Sequence, residues 1–166
     1  MKTVKEYQIP RAVGALLGLA VGDALGTTLE FKPKDSYTPL IDMVGGGPFG
    51  LKAGEWTDDT SMMLCLAESL IEKGCVGLDD QMQRYVRWYR HGENSCTGTC
   101  FDIGITVRTA LANYEKTGIP QSGSTSSMSA GNGSLMRVAS IALFFAHQSE
   151  EAAMEAGKLS SLTTHG

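Results

Sequence analysis

The run Trp56-Thr57-Asp58-Asp59-Thr60 sets two adjacent carboxylates between two hydroxyls at the point where a helix begins. Thr57 or Asp58 suits the N-cap, and acids in a first turn suit the positive end of the helix dipole. Capping alone does not need both acids. Asp59 continues a stripe through Met62, Met63, Leu66 and Leu70, which points its carboxylate inward, while Asp58 lies about a hundred degrees around the helix. Two such groups bracket one point in space, and a buried carboxylate needs a partner, for which a hard divalent cation is well suited. Metal binding and plain capping stand as even alternatives on spacing.

Other residues carry weaker signals. Glu30 sits between Leu29 and Phe31, just past Gly22-Asp23-Ala24-Leu25-Gly26, and is either a solvent-facing loop acid or part of the same site. Ser129-Ala130-Gly131-Asn132-Gly133-Ser134 leads into an apolar helix. Consecutive amides there make an anion cradle, although glycine before a helix is also ordinary loop grammar. Asp102-Ile103-Gly104 opens a further helix, with an N-cap as the plain role of Asp102. His165, like His91 and His147, reads by itself as a solvated bystander.

The elements that must carry these residues are helical. Periodic stretches cover residues 10–25, 58–73, 79–90, 101–116, 134–147 and 150–162, and none reads as a strand. Gly74 and Gly118 are stop signals. The stretch 135–145 is apolar on nearly all sides, which predicts a central helix. Gly14, Gly18, Gly22 and Gly26 recur every four residues on one face of the first helix, a pattern that admits a second backbone. Three irregular segments, 31–56, 92–100 and 118–132, exceed what packing demands and are candidate binding loops. No linker divides the chain, so residues 1–166 read as part of one domain.

Composition narrows the function. With 166 residues, 42% hydrophobic and 19% charged, the chain can bury a core and is not disordered. Fourteen Lys+Arg against 18 Asp+Glu, with no basic run, argue against nucleic acid and leave small molecules or proteins as partners. Cys65, Cys75, Cys96 and Cys100 match no common zinc or disulfide pattern, which points to reduced thiols and a cytoplasmic location. Residues 12–22 are apolar behind Lys2, Lys5 and Arg11, but Glu6 and Pro10 interrupt the basic region. The run looks too short to span a bilayer, and no membrane partner is expected.

In this order, "GDALG" with Glu30, "WTDDT", "DIG", "GNGSLMR" and the "TH" of Thr164-His165 resemble the ADP-ribosylglycohydrolase family, which includes the dinitrogenase reductase-activating glycohydrolases. The resemblance spans nearly the whole chain but only the front half of a family domain. It implies an all-α, multi-helix orthogonal bundle, incomplete at the C-terminus, that holds two divalent ions, Mg2+ or Mn2+, beside an ADP-ribose cleft. Glu30, Thr57, Asp58 and Asp59 would then be metal ligands, with Glu30, Asp58, Asp59 and Asp102 at the catalytic centre. Gly131, Asn132, Gly133 and Ser134 would hold the pyrophosphate, and His165 would line the substrate pocket.

The implied substrate is an ADP-ribosylated protein, modified most readily on arginine, or free ADP-ribose. The family's later Asp-x-Asp-Thr segment does not occur here, so the resemblance implies weak metal binding and slow turnover, or none, by this chain alone. A missing half would leave an apolar face exposed, with homo-oligomers as one outcome. A non-catalytic ADP-ribose binder or an immunity-type interaction module is the alternative.

Overall fold

A computed structural model describes residues 4–165, with side-chain surroundings from residue 9 onward; Lys2 lies outside the described residues. The described residues form six α-helices: α1 (Val4–Gly26), α2 (Asp58–Lys73), α3 (Leu78–His91), α4 (Ile105–Thr117), α5 (Ala139–Phe145) and α6 (Glu150–Ser161). No strand occurs among the described residues, only the isolated pairings Gly46 with Leu51 and Ser124 with His165. The all-α expectation is borne out.

The core forms around α2, which packs against α1, α3 and α5. Its inward residues Met62, Cys65, Leu66 and Leu70 recur at helical spacing and are at most 1% exposed. Burying each of the larger ones is worth about 1.5–3 kcal/mol. They meet Met82, Tyr85 and Trp88 of α3, Val107 and Leu111 of α4, and Ile141 of α5. Gly74 and Gly118 end α2 and α4 in the left-handed conformation, as their sequence positions predict.

Three expectations are corrected. The apolar run 135–145 is not a central helix: α5 holds only seven residues, of which Ser140 and Ile141 are buried, and Leu135 is largely exposed. Residues 131–138 instead form turns in which Asn132 O accepts from the amides of Leu135 and Met136. The fourth helix starts at Ile105 rather than residue 101, because Asp102 has φ +57° and Gly104 is extended with ψ 148°. Finally, α1 begins before Pro10 and has 23 residues. By length and composition its Ile9–Leu29 stretch, of mean hydropathy 1.6, is long enough to cross a bilayer, although Asp23 within it is tied to α2.

One face of α1 is open. Ile9, Val13, Leu17 and Val21 are 49–65% exposed, and a methyl group added at Gly14, Gly18, Gly22 or Gly26 would meet no atom within 4 Å. The predicted close backbone approach along this stripe has no partner among the described residues. Gly18→Ala should therefore raise stability by about 0.5–1 kcal/mol through helix propensity alone. Urea unfolding of the variant checks this; a loss of stability would mean that another backbone packs there in solution.

Candidate active site

Asp23, near the end of α1, organises the start of α2. Its carboxylate accepts hydrogen bonds from the Thr57 and Thr60 amides at 3.0–3.1 Å and from both hydroxyls at 2.7 Å. The expected local caps are thus replaced: Thr57 is the N-cap by position, but its side chain makes no capping bond, and the cap comes from a different helix. Four donors converging on one carboxylate make a strong joint. The joint also turns the Thr57 hydroxyl proton toward Asp23, leaving the oxygen's lone pairs free.

Asp58 and Asp59 then enter a cleft of about 930 Å³ also lined by Asp23, Glu30, Thr57, Asp102, Arg108, Gly131, Asn132, Gly133 and His165. Asp58 is the more deeply buried of the pair, at 8% exposed, which reverses the sequence assignment. It heads the stripe through Ser61, Met62, Cys65 and Ser69, all buried, whereas Asp59 is half-buried. Burial, then the charges of Asp102 and Asp59, push the Asp58 carboxyl up to about 8. Asp59 is pushed up to about 6 by burial and then by Asp23 and Glu30.

Glu30 and Asp102 line the same cleft, close enough for their carboxyl groups to influence each other's protonation. Burial raises both, and for Asp102 the charge of Glu30 adds to it. Asp102 is not a helix cap: it lies two residues before Gly104, in a left-handed conformation that holds its carboxylate in the cleft. Phe31, next to Glu30, is also left-handed at φ +61°. Bulky residues rarely adopt that conformation, and strain of this kind gathers at binding sites. Its ring packs on Phe49 at 6.2 Å, and Phe49 on Phe101 at 5.3 Å, forming an aromatic wall beside the acids.

The loop that carries Phe49 is fastened to the short turn after α1 by the Thr28 hydroxyl, which donates to Gly45 O at 3.1 Å. On the other side Trp56, adjacent to the acid cluster, donates its indole N–H to Asn94 O at 3.2 Å. Cys96 Sγ donates to Trp56 O. All four cysteines are free, and burial pushes Cys65 and Cys100 up to about 11 and 12, so these two are thiols in the metal-free protein.

The residues singled out in the sequence thus share one cleft, except Ser134, which lies outside its lining. The glycine loop does not sit on a helix N-terminus, since α5 starts five residues after Ser134. His165 is no bystander: its ring lies beneath Gly131 and Gly133, whose missing side chains make room for it. Among the described residues no three Asp, Glu, His or Cys side chains close into a ready-made metal group. The chemistry of the donors nonetheless suits a hard cation: they are all oxygens, and burial together with mutual repulsion favours protonated carboxyls whose protons a divalent ion would displace. Sequence reasoning missed Asp23, Arg108 and the aromatic wall.

Comparisons with known proteins show what the chain is similar to. A family model described as ADP-ribosylglycohydrolase matches residues 5–166. The chain is 51% identical over 158 residues to the ADP-ribosylarginine hydrolase Tri1 of Pseudomonas putida (strain GB-1), covering 95% of this chain and 42% of that protein. The protein of the same name from Serratia proteamaculans (strain 568) is 55% identical over 136 residues, covering 82% and 37%. The ADP-ribosyl-dinitrogen reductase glycohydrolase of Rhodospirillum rubrum is 39% identical over 137 residues, covering 80% and 44%. A solved structure of an ADP-ribosylglycohydrolase-related protein complex superposes with a TM-score of 0.81 at 44% identity, covering 98% of this chain and 51% of that one. The chain spans less than half the length of these three curated relatives.

Proposed function

The chain belongs to the ADP-ribosylglycohydrolase family, and we propose that it forms the metal-facing and ADP-ribose-facing part of a hydrolase that removes ADP-ribose from modified arginine side chains. The observation that carries this reading is the crowding of five carboxylates, Asp23, Glu30, Asp58, Asp59 and Asp102, into one cleft beside a glycine loop. The names of the two most similar relatives cited above support arginine as the modified residue.

Glu30, Thr57, Asp58 and Asp59 would hold Mg2+ or Mn2+. When bound, such ions lower the pKa of a water molecule and polarise ribose hydroxyls. Asp23 keeps Thr57 in place and stands behind it. In hydrolysis the bond from the ribose anomeric carbon to the guanidine nitrogen breaks, water oxygen joins the carbon, and a proton goes to the nitrogen. The Asp102 carboxyl, pushed up to about 7 by burial and then by the charge of Glu30, is a proton source for that leaving nitrogen, and the carboxylates stabilise the oxocarbenium-like state. Gly131 to Gly133, His165 and Arg108 form the side of the cleft suited to the diphosphate. Free thiols at all four cysteines support a reducing, cytoplasmic setting.

Release of ADP-ribose from an ADP-ribosyl-arginine protein should proceed slowly with Mg2+ or Mn2+ and stop with a chelator. Release that ignores the chelator would refute the metal-dependent reading. Calorimetry separates the alternative: ADP-ribose binding indifferent to the chelator, without turnover, identifies a binding module. In the same titration Arg108→Ala should weaken ADP-ribose binding about tenfold, as expected for one charge-assisted contact to phosphate. Unchanged affinity would remove Arg108 from the site.

A further inference from the structure

Arg137 is entirely buried, yet none of its hydrogen-bond partners is a carboxylate. Its guanidinium lies 4.8 Å over the Tyr85 ring. Nη1 donates to Gly133 O at 2.7 Å and to Thr164 Oγ1 at 3.0 Å, and Nη2 donates to Thr163 Oγ1 at 2.8 Å and Ser160 O at 3.3 Å. Since arginine only donates, each threonine hydroxyl must accept from it, which frees each hydroxyl proton for another acceptor. Thr163 gives its proton to Ser160 O at 2.8 Å. For the fully buried Thr164 the one acceptor in reach among the described residues is His165 Nδ1 at 2.9 Å.

A hydroxyl that donates to Nδ1 leaves the imidazole proton on Nε2. That atom is shielded from solvent and has no hydrogen-bond partner among the described residues. It faces Gly131, where an added methyl group would come within 3.2 Å of it, while Gly133 lies over Cε1. Burial and the Arg137 charge hold the ring's pKa below its ordinary value, so it stays neutral near pH 7. A buried N–H with no acceptor is unfavourable, and an arriving ligand oxygen relieves that.

We propose that Arg137, acting through Thr164, is a positioning residue that fixes His165 as a neutral imidazole with its proton on Nε2, held beneath the glycine loop for an oxygen acceptor of bound ADP-ribose. The ligand's identity rests on the hydrolase reading above; the proton's position does not. One guanidinium also grips Gly133 O, so ring and loop are set by the same group.

Long-range 1H–15N NMR on the chain with 15N-labelled histidine reads this directly. In the unmodified protein at neutral pH, Nε2 of His165 should resonate as a protonated nitrogen and Nδ1 as a bare one. Thr164→Ser should keep that separation, and Thr164→Val should collapse it toward an averaged shift. A proton on Nδ1 in the unmodified protein, or an unaltered separation in folded Thr164→Val, overturns the proposal. Adding ADP-ribose should shift Nε2. A correct tautomer that does not respond to ADP-ribose counts against the ligand, and so against the hydrolase reading, while the relay stands.

Discussion

Asp23→Ala should lower the free energy of unfolding by about 2–4 kcal/mol, because one substitution removes a cap and strands several buried donors. The Thr57 and Thr60 amides and both hydroxyls lose their shared acceptor, and no neighbouring carboxylate accepts from those amides in its place. Asp23→Asn gives a sharper test, since its amide NH2 would meet groups that are themselves donors. Removing the charge also relieves repulsion, so the Asp59 pKa should fall from about 6 toward the ordinary carboxylate range. Urea unfolding gives the first quantity and carbon-detected NMR the second. A loss below about 0.5 kcal/mol for the alanine variant would mean that α2 is capped from elsewhere in solution.

The metal-free chain should lose stability as pH rises, by several kcal/mol between about pH 4 and pH 8. Asp58 titrates near 3.8 when unfolded and near 8 when folded, so in that interval the native state binds the extra proton. Stability therefore falls as pH rises through the interval and levels off above the folded value, the reverse of the behaviour of an ion-paired acid. Asp59 adds a smaller contribution of the same sign at lower pH. Asp58→Asn should flatten the profile and be more stable than the parent at pH 8.5. Millimolar Mg2+ or Mn2+ should stabilise the parent at that pH and leave the variant nearly unaffected. A parent whose unfolding midpoint does not change with pH would show that the carboxyl is solvated, and an equal metal effect on the variant would show that Asp58 is no ligand.

How much of this was legible in sequence depends on the range over which each signal acts. The bounds of α2 could be read from Asp58 to Gly74 because cap, apolar spacing and glycine stop all lie within the helix itself. The all-α class and the cleft membership of Glu30, Asp102 and His165 were likewise accessible, the last three through a family pattern rather than spacing. Asp23 was not legible: its partners stand 34 and 37 positions away, and in sequence it is one acid in a glycine-rich helix. The exchange of roles between Asp58 and Asp59 came from overlapping stripes, since both 58-62-65-69 and 59-63-66-70 satisfy helical spacing. The apolar run at 135–145 misled because hydrophobicity predicts burial without saying whether a turn begun at Asn132 consumes the first residues.

Trp56 and Trp88 are the protein's two tryptophans, and the fold has separated them by task. Trp88 is sealed in the core at 1% exposed, while Trp56 stands half-buried next to Thr57 with its indole N–H on Asn94 O. The emission spectrum should accordingly carry two channels: a blue-shifted one that reports global unfolding, and a redder one sensitive to changes at the neighbouring Thr57, which lines the acidic cleft. Occupancy of the cleft can be followed in unlabelled protein as a change confined to the red edge.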